Sequence, residues 1–155
     1  MPRLSLVPAS YVYLRRGGEV LLQLRENTGY RDGCWAAGAA GHIEAGETAV
    51  VAARRELAEE LGVDAEVEAL VATSVMQRTD GTADPTAQRV DWFFVCDRWA
   101  GEPTIREPAK CGGLDWFGLD NLPETVADYE RLALRALAAG ATSHLQAFGF
   151  RGPGD

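Results

Sequence analysis

Three glutamates lie about one helical turn apart in a single segment of the chain. Glu56, Glu59 and Glu60 fall within 55-RELAEELGV-63. Residues three and four positions apart share a helix face, where like charges repel. Hard divalent cations bind oxygen ligands and would relieve that repulsion. The spacing therefore predicts a metal site on this face, with a solvated acidic surface as the alternative.

The segment that carries these glutamates is predicted to be a helix from Thr48 to Leu61. It contains no Gly or Pro and is rich in Ala, Glu, Leu and Arg, which favour helices. Thr48 is placed to cap the N-terminus, and Gly62 stands where helices commonly end in a left-handed residue. Val50, Leu57 and Leu61 form a stripe that we expect to face the core.

A glycine- and alanine-rich loop, 36-AAGAAGHIEAGE-47, leads directly into this helix. Small residues allow close approach to the backbone, and such a loop can offer N–H or C=O groups to a phosphate or a metal. Arg55 precedes the acidic cluster on the side of Glu59, where it can neutralise charge or hold a carboxylate. Loop and helix together predict one site.

The pattern Gly41-x5-Glu47-x7-Arg55-Glu56-Leu57-x-Glu59-Glu60-x-Gly62-Val63 resembles the Nudix box at every defined position. The similarity covers about residues 8–140 and includes 12-VYLRRGGEVLLQLRE-26, 35-WAAGAAGHIEAGET-48, 89-RVDWFFVCDRWAGEP-103 and 114-LDWFGLDNLP-123. It implies an α/β (α+β) fold, namely a Nudix-type α/β/α sandwich with a mixed central sheet and a glycine loop–helix catalytic motif.

The resemblance also implies a reaction, the hydrolysis of a nucleoside diphosphate linked to another group with Mg²⁺ or Mn²⁺. Glu56, Glu59, Glu60 and the backbone carbonyl of Ala40 would bind the metal. Arg55 would hold Glu47 by a salt bridge, and Glu47 would assist a metal or water. Metal ions suit this chemistry because they neutralise the pyrophosphate and lower the pKa of a bound water.

Further residues complete the expected site. By resemblance, Glu107 is the closest match to a glutamate that binds metal or acts as the base, so Glu47, Glu59 and Glu107 all stay open as the base. Arg25, at the end of a strand, matches a basic residue that contacts substrate phosphate. Gly41 within the loop, and Tyr30 and Trp35 that border it, are candidate substrate-binding residues, and core or rim packing is the alternative for the two aromatic side chains.

The substrate is less well defined by the sequence. The ADP-ribose branch of the family has a Pro where Arg78 and Thr79 stand, and the dinucleoside-polyphosphate branch has a Tyr near Asp80 and Gly81. Their absence favours the MutT-type branch, which cleaves (deoxy)nucleoside triphosphates to monophosphate and pyrophosphate. Nucleotide sugars or dinucleotides are the alternative substrates. A non-catalytic Nudix-fold nucleotide sensor and a calcium-buffering domain are the alternatives from other classes.

Length and composition predict a single domain over residues 1–155, with residues 151–155 disordered. The 155 residues are 46% hydrophobic, and the formal charge of −8 argues against nucleic-acid polymers and anionic membranes as partners. Three cysteines without C-x-x-C spacing, Cys34, Cys96 and Cys111, predict reduced thiols and a cytoplasmic protein. Homodimerisation stays open.

Alternating apolar residues and turn signals predict the remaining elements. The expected elements are a hairpin of strands 10–16 and 19–25 around Gly17-Gly18, a long bent strand over 64–79, strands at 89–99 and 114–119, a helix from Glu124 to Ala139, and a short strand or irregular tail over 141–150.

Overall fold

The computed structural model describes residues 2–140 and 144–152 and consists of eight strands and two α-helices with short helical turns between them. The strands are β1 (Val7–Arg16), β2 (Glu19–Arg25), β3 (Trp35–Ala37), β4 (Ala39–His42), β5 (Leu70–Arg78), β6 (Arg89–Cys96), β7 (Cys111–Gly118) and β8 (His144–Phe148). The helices are α1 (Ala49–Glu56), continued by a π-helical turn (Leu57–Leu61), and α2 (Asp128–Ala138), with 3₁₀ turns at Val67–Ala69 and Pro85–Ala87.

The strands form one mixed sheet in the order β3-β2-β1-β6-β5-β8, with β4 paired to β1 and β7 paired to β2. β1 runs parallel to β6 and β5 runs parallel to β8, whereas the other strand pairs are antiparallel. The predicted mixed sheet is therefore confirmed. Its centre is the β1–β6 pair, from which β4 carries the glycine loop toward α1.

Each face of the sheet is covered by one helix, as the sandwich requires. Side chains that alternate along β6 point to opposite faces, so Phe93 packs with Leu134 of α2 and Phe94 packs with Leu57 and Leu61 beside α1. The acidic helix is thereby fixed to the core by its apolar stripe. Val50 is only partly buried at the edge of that stripe.

Several expected element boundaries were wrong, and each has a local cause. Residues 64–69 do not join the strand, because Asp64 forms an isolated bridge with Ala100 and a 3₁₀ turn follows before β5 begins at Leu70. The second helix begins at Asp128 rather than at Glu124 because Val126 bridges to Trp35 in an extended conformation.

The C-terminal part of the chain contains a strand. Of the two alternatives for residues 141–150, the strand is observed as β8, which runs parallel to β5. Residues 151–152 have no regular structure. The expected disorder of residues 153–155 lies outside the described residues. Within residues 2–140 and 144–152, no helix is both long and apolar enough to cross a membrane.

Candidate active site

The acidic helix begins and ends as its sequence predicts, but its last turn is wound more widely. The Thr48 hydroxyl accepts a hydrogen bond from the Val51 N–H, and Gly62 closes the helix with a left-handed φ of 69°. Between them, Leu57–Leu61 forms a π-helical turn rather than an α-helical one. Such turns occur often at functional sites, and this one changes the relative directions of the Glu56, Glu59 and Glu60 side chains.

The carboxylate of Glu56 is packed directly against the glycine loop. The residue is only 8% exposed, and a Cβ at position 41 would overlap its carboxylate. Burial raises the pKa of Glu56, the adjacent Arg55 opposes that rise, and the charge of Glu59 adds to it. The missing side chain of Gly41 therefore leaves the space that the Glu56 carboxylate occupies.

Glu60 links the π-helical turn to the same loop. Its Oε2 accepts a hydrogen bond of 2.7 Å from the backbone N–H of Ala40. Burial raises the pKa of Glu60 to about 8, and the negative charges of Glu56 and Glu107 reinforce the increase. A carboxylate in this position is costly to ionise without a nearby cation.

The guanidinium of Arg55 connects three carboxylates. It donates to both oxygens of Glu47, at 2.6 and 3.1 Å, so the ion pair expected from the resemblance is present. It also contacts Glu56 at 2.7 Å, Glu59 at 3.3 Å and the carbonyl oxygen of His42 at 3.0 Å. These hydrogen bonds lower the pKa of Glu47, which is consequently ionised over the whole neutral range.

A small cavity of about 280 Å³ brings Glu107 together with Glu60 and Arg25. The loop that carries Glu107 is attached to the acidic helix by backbone hydrogen bonds, from Arg106 to the Glu60 carbonyl and from Thr104 to the Leu61 carbonyl. Glu107 is exposed at this point. The long-range placement that the sequence only suggested is therefore realised in the fold.

The carboxylates suit a divalent cation in type and position. Within the described residues, no three acidic, histidine or cysteine side chains converge on one point. The reason is that Arg55 holds Glu56 and Glu59, while Ala40 holds Glu60. All these groups are oxygen donors, and the raised pKa values of Glu56 and Glu60 show that burial disfavours their ionised forms, which a bound cation would stabilise. In donor type, the residues fit a hard divalent cation such as Mg²⁺.

Of the predicted substrate-binding residues, three line a cavity and one is packed away from it. A larger cavity of about 820 Å³ is lined by Tyr30, Arg25, Ala40 and Gly41 among others, so it adjoins the acidic helix. Trp35 is not brought to either cavity. Its ring packs edge-to-face on Phe117, with centroids 4.8 Å apart, which matches the packing alternative.

Sequence reasoning missed a buried polar network beneath the larger cavity. Arg78 pairs with Asp91 and donates to the hydroxyls of Tyr11 and Tyr30, while its guanidinium lies 3.7 Å from the ring centre of Tyr129. The sequence signal was a charged residue at an inward-facing position of each strand, Arg78 in β5 and Asp91 in β6. Their relation becomes visible only when β5 and β6 are paired.

The chain is similar in sequence to a known protein family. Residues 6–137 match the family model described as the NUDIX domain. The chain is 33% identical over 132 residues to an ADP-ribose pyrophosphatase of Methanocaldococcus jannaschii, covering 84% of this chain and 73% of the relative.

Solved structures give the same result at the level of the fold. A MutT NUDIX hydrolase from Burkholderia pseudomallei has a TM-score of 0.76 and 27% identity, covering 86% of this chain and 98% of that one. A MutT protein from Bacillus halodurans has a TM-score of 0.71 and 18% identity, with 90% of each chain covered, and this similarity concerns the fold alone.

Proposed function

Because the chain belongs to the Nudix hydrolase family, we propose that it hydrolyses the pyrophosphate bond of a small nucleotide with Mg²⁺, or with Mn²⁺ in its place. One observation carries the proposal. Glu56 and Glu60, both with raised pKa values, are packed against the Ala40–Gly41 backbone, and Ala40 lines both cavities.

The metal would be held by Glu56, Glu59 and Glu60 with the backbone carbonyl of Ala40. When bound, it supplies charge neutralisation for the pyrophosphate and a more acidic water. Clustered carboxylates suit Mg²⁺ better than histidine or cysteine would. Gly41 contributes by leaving space for the Glu56 carboxylate.

Other residues orient the site and move protons. Arg55 positions Glu47, Glu56 and Glu59 through its hydrogen bonds. Glu107, Glu59 and Glu47 are the candidates for the base that takes the proton from the attacking water, and Glu107 has the support of sharing a cavity with Glu60. Arg25 lines both cavities and is positioned to contact substrate phosphate.

Two substrate classes are supported by different observations. The absence of the ADP-ribose and dinucleoside-polyphosphate signatures from the sequence favours a (deoxy)nucleoside triphosphate, cleaved to monophosphate and pyrophosphate. The 33% identity to a protein named ADP-ribose pyrophosphatase favours a nucleotide sugar. A nucleotide sensor without hydrolytic activity has less support, because every glutamate of the box is present.

A product-resolved substrate screen tests the proposal. Purified protein is incubated with Mg²⁺, Mn²⁺ or EDTA and a panel of nucleoside triphosphates, nucleotide sugars and dinucleotides, and products are identified by mass spectrometry. We expect metal-dependent release of a nucleoside monophosphate. Binding of a nucleotide in a thermal-shift assay without any product, under every metal condition, would support the sensor instead.

A further inference from the structure

The larger cavity carries a charge pattern that pyrophosphate hydrolysis alone does not require. It extends from Ala40 and Gly41, beside the acidic helix, to Phe148 and Gly149 at the end of β8. Four arginines line it: Arg25, Arg31, Arg78 and Arg89. Only Arg25 also lines the small cavity that contains Glu60 and Glu107.

The four guanidinium groups converge on one aromatic ring. Their central carbons lie between 5.4 and 5.8 Å from the ring centre of Tyr30. Four like charges this close repel one another unless anions compensate them. The convergence is notable in a chain whose formal charge is −8.

Two of the arginines are compensated by carboxylates of the protein. Arg31 forms an ion pair of 2.7 Å with Asp128, and Arg78 forms a buried ion pair with Asp91. Both pairs fix their guanidinium groups in place. The other two arginines of the cavity are Arg25 and Arg89.

Arg25 and Arg89 are less well compensated. Arg25 donates to the Tyr30 carbonyl and the Thr28 hydroxyl, which are neutral. The Nε of Arg89 lies 4.0 Å from the Asp91 carboxylate, which already pairs with Arg78. The Nε of Arg89 is buried without a hydrogen-bond partner in the described part of the chain, and its Nη2 approaches the His42 ring nitrogen only to 3.5 Å.

The tyrosine rings of the cavity already have partners. Tyr11 stacks on Phe93 at 4.7 Å, the Arg78 guanidinium lies 3.7 Å from the Tyr129 ring centre, and the guanidinium groups surround Tyr30. Each of these rings is therefore already in contact with an aromatic or guanidinium group of the protein. The groups that the cavity does offer are guanidinium donors and phenol hydroxyls, which match phosphate oxygens.

Two aspartates also line the cavity, on the segment that follows β5. Asp80 accepts hydrogen bonds from the N–H and hydroxyl of Thr82, and Asp84 accepts the same pair from Thr86. Both would repel an anion placed beside them. An anion in the cavity is therefore best placed at Arg25 and Arg89, the two arginines with the least compensation.

From this arrangement we propose that the cavity binds a phosphate group of the substrate additional to the diphosphate that is cleaved, with Arg89 as its principal donor. The inference rests on the proposed function, because it concerns the distal end of the same substrate. The extra phosphate has two chemical sources. It is either the terminal phosphate of a nucleoside triphosphate or a phosphate monoester on a sugar of a nucleotide sugar.

Calorimetric binding of matched ligands in EDTA tests the proposal independently of hydrolysis. The pairs are ATP against ADP, and ADP-ribose 2′-phosphate against ADP-ribose. One charge-assisted hydrogen bond corresponds to about tenfold in affinity, so in at least one pair the phosphate-richer ligand binds about tenfold more tightly. Arg89→Gln reduces that ratio to below about threefold, whereas Arg98→Gln, at an exposed arginine outside the cavity, preserves it.

The pair that shows the preference identifies the source of the phosphate. Equal affinity within both pairs, no binding of any of the four ligands, or a ratio unchanged by Arg89→Gln overturns the inference. Circular dichroism and thermal unfolding establish that both variants are folded. Product release in the substrate screen tests the hydrolase proposal separately, so the two proposals can fail independently.

Discussion

Glu60 and Ala40 are joined by a 2.7 Å hydrogen bond from the Ala40 backbone N–H to the Glu60 carboxylate. The bond connects the π-helical turn to the glycine loop and keeps a half-buried acid at the small cavity. It also means that Glu60 has two roles, one in holding the loop and one in the proposed metal site. Variants of Glu60 and of its neighbour Glu56 test the second of these roles.

Glu60→Gln and Glu56→Gln should each lower kcat by several orders of magnitude. Both changes remove a negative charge proposed to hold Mg²⁺ while keeping the side-chain shape. Glu66→Gln, at an exposed glutamate just after the helix, is the matched control and should stay within twofold of the wild type. The assignment is wrong if both site variants hydrolyse every wild-type substrate at wild-type rates.

Gly41→Ala should reduce kcat/KM by about 100-fold, the scale associated with small displacements of catalytic groups. The added methyl group would overlap the Glu56 carboxylate and force it to move. Gly18→Ala is the control, because a Cβ there meets no atom within 4 Å and should leave the rate unchanged. Steady-state kinetics on folded protein provides the measurement, and a wild-type rate for Gly41→Ala would show that the close contact is dispensable.

The pH dependence of stability should reveal Glu130. This buried residue accepts hydrogen bonds from the Tyr13 hydroxyl and the Ala37 N–H, and burial raises its pKa to about 7. Because the folded-state pKa exceeds the unfolded value of 4.5, its contribution to stability is fully present below pH 4.5 and is lost as the pH rises through 7.

Urea unfolding between pH 5 and 9 in EDTA measures this effect. As the pH rises, the unfolding free energy of the wild type should fall relative to that of Glu130→Gln, which cannot ionise. Glu124→Gln, at an exposed position, should follow the wild-type curve. A constant difference between wild type and Glu130→Gln across this range would contradict the assignment.

The buried pair of Arg78 and Asp91 should matter far more for stability than an exposed pair of the same kind. Asp91→Asn leaves a guanidinium uncompensated where its side chain is 5% exposed, which should cost about 3–5 kcal/mol. Asp97→Asn breaks the pair with Arg15, where the side chains are 30% and 53% exposed, and should cost less than about 1 kcal/mol. Equal losses in denaturant titrations would refute the distinction.

The local features of the site could be predicted from the sequence because each depends on neighbouring residues. Thr48 caps the helix, Gly62 ends it, and Gly17-Gly18 forms the turn of the first hairpin. A fixed spacing places the three glutamates in one segment whatever the remaining chain does. The π-helical turn was not predicted, because the helix propensities of these residues indicate a helix without distinguishing the α form from the π form.

The larger cavity could not be predicted because it depends on contacts distant in sequence. Arg78 and Asp91 meet only through the β5–β6 pairing, and Tyr129 reaches them from α2. Glu130 was assigned to a helix, but its burial follows from the docking of that helix against Tyr13 and Ala37. Charges within otherwise apolar patterns are the only sequence signal for such networks.

The strand β8 has a practical consequence for transferring substrate assignments between relatives. The family match ends at residue 137, whereas Phe148, the last residue of β8, and Gly149 after it both line the larger cavity. Two family members can therefore agree over the whole matched region and still enclose different distal groups. Similarity within residues 6–137 is informative about the bond that is broken, and the C-terminal strand has to be compared separately to infer what is attached to it.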